Sequence, residues 1–137
     1  MTGRSGVSVS PVRDPRRDLV PPGWPAAVLP PQAPDWERSA IGWLFDLCPA
    51  DYRAHEVLRR HPVVLARFAA GHVESAVEAA RRGIRTARAD LSGLVPVDVV
   101  EAALAAYDRE GRRLVLIGRE IALVDAALRG ERHVPRL

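Results

Sequence analysis

Apolar residues recur at alternating spacings of four and three along two long stretches of the chain, the signature of helices that bury one stripe. In the first stretch the stripe is Ala66, Ala70, Val73, Val77, Ala80, Ile84, Ala87 and Leu91. It predicts a helix over about 62–91, with Pro62 suited to the first turn, where a missing N–H costs nothing. In the second, the stripe is Val100, Leu104, Tyr107, Gly111, Leu114, Ile117, Ile121, Val124 and Leu128. It predicts a helix over about 97–129, closed by Gly130. Only "SGLVP" (92–96) separates the two, so they should fold back as a long antiparallel helical hairpin, coiled-coil-like in its seam. A fold point near Gly93–Leu94 makes paired positions sum to about 187, given equal rise along both helices. Ala80 then faces Tyr107, Val77 faces Gly111 and Val73 faces Leu114. The same register brings Glu78 near Arg109, Glu74 near Arg113 and Arg67 near Glu120.

Upstream, Trp36, Ala40, Trp43 or Leu44, and Leu47 mark one amphipathic helix over about 36–48. Asp35 is its expected N-cap and Pro49 its stop. A short connector helix is expected over 51–60, with Tyr52, Val57 and Leu58 turned inward. Residues 1–33 hold most of the prolines and show no helical period, which predicts a Pro-rich extended or disordered arm. Trp24 and Leu29 are its candidate anchors on the helical body. The expected organisation is therefore this arm, an all-α domain over 34–130, and a C-terminal tail over 131–137.

The hairpin should outrun its covering helix. Thirty residues of helix span ~45 Å, and thirteen span ~20 Å. Yet Val99, Ala102, Ala103 and Ala106 continue an apolar surface onto the uncovered end. Such a surface on a two-helix tip predicts another protein surface against it, most simply a second copy. Gly71, Gly83, Gly111 and Gly118 lie inside the two long helices, each costing about 1 kcal/mol relative to Ala. Close approach of a neighbouring helix is the expected reason.

Composition narrows the chemistry. Hydrophobic residues make up 47% of the 137 positions, enough for a real core in one domain. All of the basic residues are Arg, so Schiff-base and lysine-nucleophile chemistry is excluded. Net charge is only +3, with no polybasic arm. One Cys excludes an internal disulfide, and no apolar run is long enough to span a membrane. The expected location is cytoplasmic.

Candidate sites fare unevenly. Cys48, His55, His61 and His72 are metal-ligand types, but His61 and His72 stand eleven residues apart on one stretch, ~16 Å of helical rise. One ion cannot bridge that distance. Cys48 beside His55 or His61, with Asp46 or Asp51, has the residue types of a nucleophile site. A helix C-terminus disfavours a thiolate there, so Cys48 is read as a buried small hydrophobe. "REGRRLVLIGRE" (109–120) lacks the lysine and the strand–loop–helix setting of a phosphate loop. "RRGIRTAR" places Arg81, Arg85 and Arg88 on one helix face with Arg82 beside them. That face is either a solvated surface, partly neutralised by Glu78, Asp98 and Glu101, or a contact for nucleic-acid phosphates.

The stretches "WLFDLCPADYR" and "LRRHPVVLARFAAGHVE", with the ending "VPRL", resemble a group of small Lys-poor helical proteins from high-GC actinobacteria. The resemblance covers roughly residues 24–137 and implies no activity. The expectation is thus a non-enzymatic protein-interaction module, homodimeric, acting as adaptor or regulatory subunit. The alternative is a nucleic-acid-associated protein using the Arg81–Arg88 face. No catalytic residue, metal or cofactor is expected. The interaction residues are Arg81, Arg82, Arg85, Arg88, Val99, Ala103 and Ala106.

Overall fold

The computed structural model describes residues 20–130; the rest of the expected arm (1–19) and the tail (131–137) lie outside them. Four α-helices follow in order: α1 (Trp36–Leu47), α2 (Glu56–Arg60), α3 (Pro62–Leu91) and α4 (Val97–Leu128), with a 3₁₀ turn at Ala50–Ala54. No strand occurs among the described residues. The fold is all-α, and the dominant packing is between α3 and α4.

Contacts descend α3 as they ascend α4. Arg88 pairs with Glu101, Gly83 lies under the Tyr107 ring, Ala80 meets Gly111 and Val73 meets Gly118. These pairs sum to about 190, so the register is displaced by nearly one helical turn from the expected one. The turn supplies the reason. Gly93 is left-handed (φ 78°), and the N–H groups of Leu94 and Val95 both return to the Leu91 carbonyl. The loop thus wraps back over the end of α3, and the chain reverses nearer Val95 than Gly93. The inter-helix charge pairs expected from the other register are replaced. Arg81 binds Glu78, Arg112 binds Asp108 and Arg113 binds Glu110, each within its own helix.

The core sits at one end of the α3–α4 pair. Leu44, Leu58, Leu65, Ile121 and Val124 are its largest fully buried aliphatic side chains. α1 lies across α3 and touches α4, contributing Ala40, Leu44 and Phe45. Phe45 was not on the expected face; Trp36, Trp43 and Leu47 are only partly buried at its edges. Asp35 does not cap α1 with its side chain. It adopts a left-handed conformation (φ 62°), and only its carbonyl enters the helix, accepting from the Ser39 N–H. A turn at Pro30–Ala33 precedes it, the Ala33 N–H donating to the Pro30 carbonyl and the Trp36 N–H to the Ala33 carbonyl.

The connector is not one helix. His55 is extended between the 3₁₀ turn and α2, because a continuous α-helix would set Tyr52 and Leu58 about 120° apart around its axis. The break lets Leu58 be fully buried while Tyr52 packs its ring edge-on to Phe68 and His72, at 6.0 and 6.1 Å. Val57 is half-exposed, contrary to expectation. Arg53 lies over the Phe45 ring and binds Asp46 at 2.8 Å, which ties the 3₁₀ turn to α1.

Residues 20–34 run as a series of turns against this end of the molecule. Trp24 packs on Trp36, its indole N–H donating to the Val28 and Leu29 carbonyls. Of the two expected anchors, Trp24 is partly buried, but the Leu29 side chain is exposed. Leu29 holds by its backbone N–H, which donates to Ser39 Oγ, and the buried side chain is its neighbour Val28.

Candidate functional site

Beyond Val77 on α3 and Leu114 on α4 the core ends, and the two helices continue as a pair. Only Ala80, Ala87 and Val100 are buried hydrophobics in that outer part. Most of the exposed large hydrophobics lie there: Leu94 and Val97 at 76%, and Val99, Ile84 and Tyr107 near 40%. The outer part has two faces of different character.

The front face is the one α1 covers nearer the core. Where α1 stops at Leu47, it continues as a shallow groove between Ala76, Ala79 and Ala80 of α3 and Tyr107 of α4. Helical periodicity extends this face to Gly83 and to Val99, Ala103 and Ala106. Val99 and Ala106 are exposed and Ala103 half-buried. Its outer stretch carries small apolar residues on α4, with Asp90 on α3 seven residues beyond Gly83, and toward the core it reaches Glu110 and Arg113. There the Arg113 guanidinium hydrogen-bonds Glu110 and holds its carboxyl below the ordinary carboxylate range. Gly83 is required by this face. A methyl placed on it would stand 2.3 Å from the Tyr107 ring. Gly111 and Gly118 make ordinary close contacts with Ala80 and Val73, while Gly71 has open space around it, so helix approach does not explain Gly71.

On the back face, Ala80 opposite Gly111 puts small against small and leaves a dent. It deepens into a groove of about 440 Å³ with Val77 on the floor and Ile84, Val115 and Leu116 as walls. Arg81, Arg112 and Arg119 form the rim, with one acid, Asp108. Asp108 binds Arg112 Nε at 3.1 Å.

The arginine stripe is divided. Arg81 holds Glu78 at 3.1 Å, and Arg88 holds Glu101 through both carboxylate oxygens. Arg82 and Arg85 are exposed and make no ion pair among the described residues. Arg82 faces away from the seam, beside Glu78 and Ser75, so the four guanidinium groups do not form one surface.

Elsewhere the chemistry-bearing residues are dispersed. Cys48 is buried at the end of α1, and burial pushes its thiol above the ordinary range, with Arg53 opposing weakly. His55 and His72 flank the Tyr52 ring. Among the described residues no three His, Cys, Asp or Glu side chains come together as a metal set. No helix among them is long and apolar enough to cross a membrane. No family model, no curated protein and no solved structure matches the chain.

Proposed function

We propose that the protein is a non-enzymatic helical interaction module, a homodimeric adaptor or regulatory subunit. In this reading α3 and α4 form a coiled-coil-like hairpin whose outer ends pack front face to front face, giving four helices about a two-fold axis. The observation that supports it is the uncovered front face itself. Val99, Tyr107 and the alanine strip continue the surface that α1 buries nearer the core, and on the α4 side no charge lies between Val99 and Glu110 on this face; on α3 the face ends at Asp90. On α4 a second copy meets small apolar residues that let helices approach closely, with the Asp90 carboxylate at the outer end of the strip. The core ends at Val77, so the outer part of α3 from Glu78 to Leu91, ~20 Å of its ~45 Å, is left for the partner. The Pro-rich segment around Trp24 and Val28 acts as a clasp holding α1 in place, and the single buried thiol suits a cytoplasmic setting.

The test is mass by light scattering and sedimentation at micromolar concentration. The wild type should be a dimer, and Ala106→Arg, at an exposed position, should be a folded monomer. Monomer alone for the wild type rejects the proposal. Nucleic-acid association is the second reading, favoured only by the unpaired Arg82 and Arg85. Binding unchanged by Arg82→Gln and Arg85→Gln, or insensitive to salt, would end it.

A further inference from the structure

We infer that the back-face groove is a docking site for an acidic amphipathic helix of a partner protein. The site is separate from the front face and does not depend on the dimer. Its lining is aliphatic: the exposed Ile84 and Leu116 and the half-buried Val115 stand over a floor at the buried Val77. Its rim is cationic, with three arginines against a single aspartate already bound to one of them.

The rim arginines have capacity left. Arg81 and Arg112 each spend one N–H on an acid of their own helix, and Arg119 makes no ion pair among the described residues. A guanidinium offers five donors in a fork that matches a carboxylate. Arg112, 81% exposed, is free to turn toward an incoming acid.

Charge selects the occupant. A second copy laid on this face would bring the same arginines against these ones, so self-association is disfavoured here. Nucleic acid would use the rim but leave the aliphatic walls without partners. The groove also offers no aromatic ring for a base, because Tyr107 opens on the other face. A helix with an apolar stripe flanked by Asp and Glu satisfies both parts at once. From Asp108 to Arg119 the groove runs three helical turns, ~16 Å, which sets the minimum length of the bound helix.

The probe is a synthetic helical peptide of about 18 residues, with Leu at i, i+4, i+7 and i+11 and Glu on the flanks, and a twin with Lys in place of Glu. Binding to the full chain is followed by fluorescence anisotropy at low salt. The acidic peptide should bind at least about ten-fold more tightly than the basic twin. Arg112→Glu with Arg119→Glu should invert that preference, and Leu116→Glu should weaken binding of the acidic peptide. All three positions are exposed, and circular dichroism checks that the variants keep their helices. Equal affinity for the two peptides, no binding of the acidic one at millimolar concentration, or a preference unmoved by the double charge reversal overturns the inference. So does a DNA duplex that binds this face where the acidic peptide does not.

Discussion

Gly83 and Tyr107 form a lock between α3 and α4 that neither residue announces alone. The ring occupies the space a side chain at 83 would need, yet Tyr107 is itself 39% exposed and can swing aside. Gly83→Ala should therefore lower stability by about 1–3 kcal/mol through overpacking or loss of the ring's contact. In a Tyr107→Ala background the same change should raise it by about 1 kcal/mol, because only helix propensity remains. Urea denaturation of the four variants at one protein concentration reads the change of sign. Cys48 has a different signature. Burial keeps the folded thiol neutral to higher pH than the unfolded one. Its contribution is full below the pH at which the unfolded thiol ionises and is lost as pH rises through the folded thiol's own ionisation. Urea midpoints should accordingly fall more steeply with alkaline pH for the wild type than for Cys48→Ala.

α1 and its connector show how one element is set at an angle by its ends. Asp35 sits left-handed with no side-chain cap, and the 3₁₀ turn after Pro49 swings the chain so that Leu58 enters the core. Because Asp35 bears the cost of a positive φ without the benefit of capping, Asp35→Gly should raise the thermal midpoint, by up to about 1 kcal/mol in stability. A capping aspartate would instead lose stability on that substitution. The periodicity of α3 and α4 was plain in the chain because each stripe repeats over eight or nine positions. The left-handed entry to α1 was not, since Asp before a helix carries the pattern of a cap whichever conformation it takes. Phe45 was missed for a related reason. It lies one step off the α1 stripe, and Arg53 of the 3₁₀ turn lies over its ring.

In the molecule as a whole, stability is concentrated where α1, α2 and the inner halves of α3 and α4 meet, and the outer pair is thin. If the front faces pair, that outer region gains most from association. The thermal midpoint of the wild type should then rise with protein concentration, and that of Ala106→Arg should not. A scanning-calorimetry series over two decades of concentration checks this. The two faces also differ in charge: a strip of small residues with Asp90 at its outer end, and a groove rimmed by three arginines.

The all-α class, the two long helices and the tight reversal between them were legible in the residues alone, because hydrophobic period, proline and glycine act locally along the chain. The excess length of α3 and α4 over α1 was legible too, since helical rise is constant. Register was not. It turned on how Leu94 and Val95 fold back onto the Leu91 carbonyl, a hydrogen-bonding choice within five residues that shifts every contact on both helices by nearly one turn. That shift set Ala80 against Gly111 in place of Val77, and opened the back groove between Val77, Ile84 and Val115. It also left Glu78 and Arg113, expected to pair across the helices, with partners on their own, Arg81 and Glu110. A hydrophobic stripe specifies which side of a helix is buried. Only the packed pair decides which small residues coincide, and so where the surface is left hollow.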